Sequence, residues 1–349
     1  MADSPPSSVP GARQIANIAA FRLLIGARDI SSAFRPRLIS LSLTEKRGGE
    51  ADELSVSVDD SKGDIAIPDT GEILTLSLGW RQGAGVTPGM VAKGRFKVDE
   101  AGHSGPPDIV TLRARSADLD GGFRVRKERS WKDTTIGAVL GQIAGENGFT
   151  AQISGDLAGI AVPVLDQHEM SDMALLRQLG REHDAIATVK DRKLIFAPIG
   201  AGVTASGSTI APAEIARSKG DRHDYRRAER EKYDGAEARW HDQGSATRKT
   251  EKAGSTGNGG KPKRLKKIYA TQADARAAAN AEAKRISRGE AEMTLNLALG
   301  DPSLFPDRKV KLTGFKPEIE AHDWLIAEVT HTLDSGGGLR TSLKLEAAG

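Results

Sequence analysis

The chain has no cysteine among its 349 residues, and aromatic residues make up only 4% of it. The absence of cysteine excludes disulfide bonds, thiolate zinc sites and cysteine nucleophiles. The scarcity of aromatic residues means that the cores have to be built from Val, Ile, Leu and Ala. No apolar run approaches the length of a transmembrane helix, and the first residues lack the layout of a signal peptide. We therefore expect a cytosolic bacterial or viral product without a membrane segment.

Neither sign of charge dominates the chain. It carries 50 Lys and Arg residues against 47 Asp and Glu residues, which gives a formal net charge of +3. A dedicated nucleic-acid-binding domain has a clear basic excess, so this composition argues against that class. The length predicts two or three domains, because a single hydrophobic core stops growing well before this size in most folds.

The first third of the chain has the pattern of a β-rich domain. Residues 1–20 are predicted to form a flexible N-terminal arm, because Met1–Gly11 is rich in Ser, Pro and Gly. Residues 21–116 contain short alternating runs that are separated by turn residues, a spacing typical of a sandwich or barrel. The predicted strands are Ala33–Arg47, Leu54–Val58, Glu72–Trp80, Gly94–Glu100 and Asp108–Arg115.

Residues 117–200 are predicted to form a small α/β domain that begins with an amphipathic helix. Asp133 and Thr134 offer N-cap oxygens for this helix. Its apolar residues recur at three- and four-residue spacing, which predicts one buried face. The residues of this face are Ile136, Val139, Leu140 and Ile143.

The same domain is predicted to continue with a strand, a second helix and a hairpin. Thr150–Ile153 is predicted to be the strand, and Pro163 is placed in the connection that follows. Ser171 is expected to cap the second helix, with Asp172 in its first turn, where a negative charge is favourable against the helix dipole. Two apolar runs around Lys190–Lys193 predict the hairpin.

Residues 201–349 are predicted to form a second β-barrel-like domain. The segment 244–262 is polar and glycine-rich, so we predict a mobile loop there. An alanine-rich helix is predicted over 271–288, with Thr271 as its N-cap. The predicted strands are Leu265–Tyr269, Ala291–Leu299, Lys309–Gly314, Trp324–Leu333 and Gly338–Leu345. The predicted fold class is therefore α+β and β-rich, with two β-barrel-like domains separated by a small α/β insert.

A search for catalytic chemistry finds little. His183 stands between Glu182 and Asp184 and could act as a general base, but its position predicts a polar residue at a helix C-terminus. His322 and Asp323 invite a catalytic-pair interpretation, yet neighbours in a strand point to opposite faces. No histidine pair has the H-E-x-x-H spacing of a zinc site, and no G-x-S-x-G elbow is present.

Two further motifs are weak. Gly259, Gly260 and Lys261 resemble a phosphate loop, but Pro262 stands where Ser or Thr would have to bind magnesium. The neighbouring carboxylates Asp59–Asp60 lie in a predicted solvated turn, whereas glycoside hydrolysis needs two carboxyls held across a cleft. The sequence therefore predicts a protein that is not an enzyme, with no catalytic residues, no cofactor and no metal ligands.

The stretch Arg217–Lys267 is locally basic, with 16 Lys and Arg residues against 8 Asp and Glu residues. It could touch nucleic acid through phosphates, or it could form salt-dependent contacts with a neighbouring subunit. Aromatic residues suited to base stacking are few here, so we favour subunit contacts or a solvated loop. Within this stretch, Gly244–Lys261 is expected to become ordered only on assembly.

Six blocks of the sequence carry a recognisable pattern: WKDTTIGAVLGQIA, DLAGI, SDMALLRQLG, HDAIATVKDRKLIFAP, GDPSLFPDRKVKLTGF and WLIAEVTHTL. From about Phe21 onward, the chain resembles the phage late control gene D family in these blocks. The resemblance implies a tail baseplate hub that is similar to the N-terminal part of type VI secretion spike proteins. It further implies two barrel-like domains per subunit, and a homotrimer that forms a pseudo-sixfold ring.

In such a family the ring joins the sixfold tail tube to the threefold central spike of a contractile tail. The implied partners are the tail spike protein, the tail tube or distal tail proteins and the tape-measure protein, with possible passive contact with DNA in the channel. The implied location is the virion baseplate, after assembly in the host cytoplasm. Two alternatives remain: a cell-wall-degrading tail component, and a peptidoglycan-binding module, because the helix Thr134–Glu146 has some similarity to peptidoglycan-binding repeats.

Overall fold

The fold is that of a computed structural model, which describes residues 16–116, 121–227, 233–242, 244–254, 261–336 and 338–348. Most of the predicted N-terminal arm therefore lies outside the described residues. The described residues are rich in strands, and three of their six helices are only four residues long, which agrees with the predicted α+β class. None of the helices in the described segments is long and apolar enough to cross a membrane.

The first region consists almost entirely of strands. They are β1 (Ile18–Ile25), β2 (Arg28–Asp29), α1 (Ser31–Phe34), β3 (Leu38–Lys46), β4 (Glu53–Asp59), β5 (Ile73–Gln82), β6 (Gly89–Ser104) and β7 (Ile109–Ser116). The strand predicted to begin at Ala33 starts five residues later, because α1 and a 3-10 turn over Arg35–Arg37 come first.

The central region alternates strands and helices. Its elements are β8 (Arg126–Thr135), α2 (Ile136–Glu146), β9 (Thr150–Ile153), α3 (Gly155–Ala158), β10 (Ala161–Ser171), α4 (Asp172–Glu182), β11 (Ala185–Lys190) and β12 (Lys193–Pro198). Leu140, Leu176 and Phe196 are among the buried residues with which α2, α4 and the β11–β12 hairpin form one core.

The last region contains most of the remaining strands and the longest helix. Its elements are β13 (Ala213–Ala216), β14 (Gly220–Arg227), β15 (Tyr233–Asp242), β16 (Thr247–Ala253), β17 (Lys261–Tyr269), α5 (Gln272–Arg288), β18 (Ala291–Leu297), β19 (Lys309–Thr313), α6 (Pro317–Glu320), β20 (Trp324–Asp334) and β21 (Gly338–Ala347).

One sheet of thirteen strands runs through the first and last regions in the order β14-β18-β21-β20-β3-β4-β7-β6-β5-β1-β2, with β19 paired to β20 and β13 paired to β19. The two regions meet where β3 pairs antiparallel with β20, for example Leu43 opposite His331. Leu333 and Leu339 pack into the core of the first region, whereas Leu343 and Leu345 pack into that of the last. The sheet is thus continuous between the two regions. The division into two barrel-like domains stays a prediction.

The central helices begin at capping side chains, one of which the sequence analysis placed wrongly. Ser171 accepts a hydrogen bond from the amide of Ala174, as predicted. The first helix is capped by Thr135, not by Asp133 or Thr134, because β8 continues through both of those residues. Pro163 lies within β10 rather than in a connection. A proline is tolerated there because β8 and β10 form a two-stranded ribbon in which each strand has a free edge.

A small lobe is inserted between the paired strands β14 and β18. It consists of the sheet β16-β15-β17 with α5 packed against it. Thr271 caps α5 by accepting from the amide of Asp274, as predicted. The prediction of a loop was wrong for Thr247–Ala253, which pairs with β15 along its whole length. Residues 255–260 of the predicted mobile loop lie outside the described residues.

Candidate functional site

The histidines singled out from the sequence occupy packing positions. His183 is the C-cap residue of α4, as predicted. Burial lowers the pKa of its imidazole, and its ring packs edge-on against Phe196. This position explains His183 without a catalytic role.

His322 and Asp323 lie in the turn before β20, so the sequence argument that placed them on opposite faces of a strand was wrong in its premise. His322 Nε2 lies 3.4 Å from the hydroxyl of Tyr225, and its ring is 5.5 Å from that of Trp324. His322 and Asp323 are both among the described residues, and no hydrogen bond or ion pair joins the two side chains. His322 therefore belongs to an aromatic cluster over the core of the last region.

The neighbouring carboxylates at the end of β4 organise a turn. Asp60 accepts hydrogen bonds from the backbone amides of Asp64 and Ile65, at 3.1 and 3.0 Å. Asp59 accepts one from the amide of Ser61 at 3.0 Å. The predicted turn is present, but Asp60 is buried rather than solvated. The Asp60 carboxylate therefore stabilises the loop through these hydrogen bonds.

The phosphate-loop motif finds no support in the part of it that the structure describes. Gly259 and Gly260 lie outside the described residues. Lys261 is the first residue of strand β17, whereas a phosphate-binding loop leads into a helix whose amides hold the phosphate. In the described segments, no group of three or more His, Asp or Glu side chains is arranged to hold a metal ion.

A charged cleft of about 780 Å³ lies between the β3–β4 turn, α4, β11 and the C-terminal end of α5. Its inner wall is an ion-pair network. Arg288 of α5 donates to both carboxylate oxygens of Asp184, and its Nε forms an ion pair with Glu346 of β21 at 3.3 Å. Arg47 pairs with the same Glu346. Arg288 and Asp184 are each 5% exposed, so this network joins the central region, the lobe and the large sheet.

The carboxylates of the charged cleft are all paired with cations. Besides Asp184 and Glu346, Glu50 pairs with Lys46, and Glu328 lies 2.7 Å from Lys344. A general acid or nucleophile needs a carboxyl that is free to exchange a proton or to attack the substrate. The arrangement in the charged cleft is that of a structural joint.

A second buried ionic cluster lies where β3, β6 and β20 meet. Lys93 Nζ donates to Glu45 at 2.7 Å and to the carbonyl of Leu304 at 3.2 Å. His331, which is fully buried, shares a hydrogen bond with Thr341 at 2.9 Å, and its Nε2 lies 3.4 Å from Glu45 without good hydrogen-bond alignment. Burial opposes ionisation of Glu45, but His331 and Lys93 lower its pKa to about 2. Glu45 is therefore ionised and ties the two halves of the sheet together.

The central region has its own buried acid. Asp172, at the N-terminus of α4, is fully buried and accepts from Lys127 at 2.8 Å, Asn147 at 2.9 Å and Gln167 at 3.0 Å. Arg129 of β8 also donates to it. The sequence predicted Asp172 in the first turn of the helix, but it did not predict these partners. They come from β8, β10 and the end of α2, so only the tertiary fold brings them together.

Part of the charge of the basic stretch Arg217–Lys267 lies on one face of the lobe sheet. α5 covers one face of the β16-β15-β17 sheet, and the opposite face is lined by Arg and Lys side chains. We call this opposite face, defined by Arg239, Arg248, Lys252 and Arg264, the basic face. The sequence analysis found the charge excess but not its arrangement, because it assigned part of the stretch to a loop.

Comparison with known proteins agrees with this architecture. Residues 53–337 match the model of the family described as phage tail baseplate hub (GPD). The chain is 38% identical, over 94% of its length and 92% of the relative, to a protein of Escherichia phage 186 described as a "probable baseplate hub protein".

Solved structures share the fold at low identity. A tail protein from Neisseria meningitidis matches with a TM-score of 0.65 and 12% identity, covering 94% of this chain and 96% of that one. A type VI secretion component of E. coli, described as similar to T4 bacteriophage tail proteins, matches with a TM-score of 0.53 and 12% identity over 90% of this chain and 74% of that one. The chain therefore belongs to the phage tail baseplate hub (GPD) family, as its resemblance to late control gene D proteins implied.

Proposed function

We propose that this chain is the structural hub of a phage tail baseplate, and that copies of it form a ring that joins the tail tube to the central spike. The observation that carries the proposal is the similarity along almost the whole chain to the hub of phage 186. The family match supports a place in the virion tail. The ring, its homotrimeric state and its attachment to tube, spike and tape-measure proteins are parts of this proposal.

The architecture is consistent with a rigid ring subunit. Antiparallel pairing of β3 with β20 makes the large sheet continuous. Two buried ionic clusters cross the boundaries between regions: Arg288 pairs with Asp184, and the Glu45–Lys93 pair contacts His331 and the carbonyl of Leu304 in the last region. Breaking such a buried pair leaves an uncompensated charge, so these clusters resist relative motion of the regions they join. A subunit that transmits force between tube and spike needs that stiffness.

We further propose that the hub has no enzymatic activity. The paired state of the carboxylates in the charged cleft supports this, because glycoside hydrolysis needs two available carboxyls on either side of the substrate. The alternative of a cell-wall-degrading component is tested by zymography on peptidoglycan. A cleared band at the mass of this chain would overturn the non-enzymatic proposal.

The ring proposal is tested by the native mass of the purified protein, measured by light scattering at several salt concentrations, alone and with the spike protein added. We expect a species of three times 37.0 kDa. An obligate ring interface buries more than about 2,000 Å². A chain that stays monomeric in the presence of the spike protein would contradict the proposal, and the peptidoglycan-binding alternative would then be tested by sedimentation with purified cell wall.

A further inference from the structure

The two faces of the lobe sheet differ in what covers them. On β15, Ala236, Ala238 and Trp240 alternate with Glu237 and Arg239. Ala238 is fully buried and packs with α5, and Trp240 packs against the same cluster. Because successive residues of a strand point to opposite faces, Glu237 and Arg239 lie on the face that α5 does not cover.

Cross-strand register places the flanking basic residues on that same face. Lys252 of β16 is opposite Glu237, and Arg248 is opposite His241. On β17, Arg264 is aligned with Glu237 and Ile268 with Arg239. Residues directly opposite each other across a strand pair project from the same face of the sheet. The basic face therefore brings four cationic side chains from three strands together.

The charges of the basic face are largely uncompensated. Its one acidic residue in the described segments, Glu237, is 7% exposed and already pairs with Arg264. No carboxylate of a described residue lies within ion-pair distance of Arg239, Arg248 or Lys252. Elsewhere on the lobe several cations are neutralised: Lys249 pairs with Asp242, Lys263 with Glu282 and Lys267 with Glu182.

Protection of sheet edges does not account for this pattern. Lysines on edge strands discourage pairing with other chains, which explains those of β16 and β17. Arg239 stands on β15, which is the central strand. Its Nε is buried and has no hydrogen-bond partner among the described residues. No described carboxylate compensates this guanidinium, so a carboxylate brought to the uncovered face would be its counter-ion.

We propose that the basic face binds an acidic surface of another protein in the tail assembly. Guanidinium groups match carboxylates geometrically, and Ile268, which is 41% exposed at the side of Arg239, offers an apolar contact that a protein partner can cover. Single-stranded nucleic acid is bound by sheets that display stacking aromatics, whereas here Trp240 lies on the opposite face, against α5. The proposal rests on the proposed function only in assuming that the chain works in an assembly.

The test measures binding of the full-length protein to fluorescein-labelled poly-L-glutamate by fluorescence anisotropy, at low and at physiological ionic strength. The face variant carries Arg248→Glu and Lys252→Glu. The matched control carries Arg276→Glu and Lys284→Glu, which make the same charge change on exposed positions of α5, on the other side of the sheet. Arg239→Gln is a milder face variant, and circular dichroism checks that each variant is folded.

We expect the control to bind like the wild type and the face variant to bind at least about tenfold more weakly, since close charge pairs are worth on the order of 1.5 kcal/mol or more. Arg239→Gln should weaken binding in the same direction. Equal loss in face and control variants would overturn the proposal, because binding would then follow net charge alone.

Binding of a duplex DNA of matched charge tests whether the basic face recognises nucleic acid instead of protein. Tighter binding of the duplex than of poly-L-glutamate, lost in the face variant, would replace the protein partner with nucleic acid. Neither result bears on whether the chain forms the ring, since the ring is judged from native mass.

Discussion

Replacement of Arg288 by Met tests whether the buried ion pair between α5 and the central region is a true joint. Arg288 donates to both oxygens of Asp184, and Asp184 has no other cation within ion-pair distance among the described residues. Glu346 keeps Arg47 when Arg288 is lost, so the damage falls mainly on Asp184. Methionine retains much of the length and apolar stem of arginine, which limits the loss of packing.

The magnitude follows from the burial of the carboxylate that is left behind. Removal of one member of a buried pair costs about 3–5 kcal/mol, because the remaining charge is uncompensated. The matched control is Arg285→Met, one turn earlier on the same helix. Arg285 is 43% exposed and pairs with the buried Glu282, but Glu282 keeps Lys263 as a second cation when Arg285 is lost, so the substitution should cost at most about 1 kcal/mol.

Urea unfolding monitored by circular dichroism gives the free energies of unfolding of both variants. We expect Arg288→Met to lose at least about 2 kcal/mol more stability than Arg285→Met, from the difference between buried and exposed pairs. The double variant Arg288→Met with Asp184→Asn should recover much of that loss. Asn tolerates the left-handed backbone of residue 184, whose φ is 51°. Equal losses in the two single variants would refute the role of the joint.

Three further predictions concern stability and use thermal or urea unfolding. Burial raises the pKa of Asp307 to about 6, so the folded state retains its proton better than the unfolded state, and stability falls as pH rises between about 4 and 6. Asp307→Asn should therefore stabilise the protein by up to about 3 kcal/mol at pH near 8 and by little near 4; an equal gain at both would exclude this cause. Thr271→Ala should cost about 1 kcal/mol through loss of the α5 cap, and no change would show that the cap is replaceable. Gly180→Ala should cost about 1–3 kcal/mol, because the new Cβ would lie 2.6 Å from that of Ala187, whereas Gly141→Ala, with open space around it, should be neutral or slightly stabilising.

The features that the sequence predicted well are those that depend on neighbouring residues. Ser171 and Thr271 cap their helices because a cap uses an amide only three residues away. Strand β9 has the predicted bounds, Thr150–Ile153, since a turn precedes it and Ser154 leads directly into α3. The wrong N-cap of α2 shows the limit of such local reasoning. Asp133, Thr134 and Thr135 each have a side-chain oxygen that could cap the helix, and the pairing of β8 with β10 determines that the strand ends at Thr135.

Strand β16 shows why the remaining features could not be predicted from composition. Its residues Thr247–Ala253 are almost all polar, and only Ala253 is buried. The strand is held by backbone pairing with β15 and by the packing of α5 against the lobe, neither of which appears as a hydrophobic pattern. From sequence alone, a segment of this kind is predicted to be a loop, because its partner strand is not known.

The pairing of charged side chains also depends on the tertiary fold and could not be predicted from composition. A count of charged residues finds an excess in the basic stretch but cannot separate Lys263, which pairs with Glu282, from Lys252, which pairs with no described carboxylate. The fold makes that separation. Lys263 and Lys267 meet acids of α5 and α4, whereas on the uncovered face the one described acid, Glu237, is taken by Arg264. Unpaired cations also occur at exposed positions of α5, such as Arg276 and Lys284, so exposure alone does not indicate a binding surface. The basic face differs because unpaired cations from two adjacent strands converge on it, and one of them, Arg239, stands on the central strand.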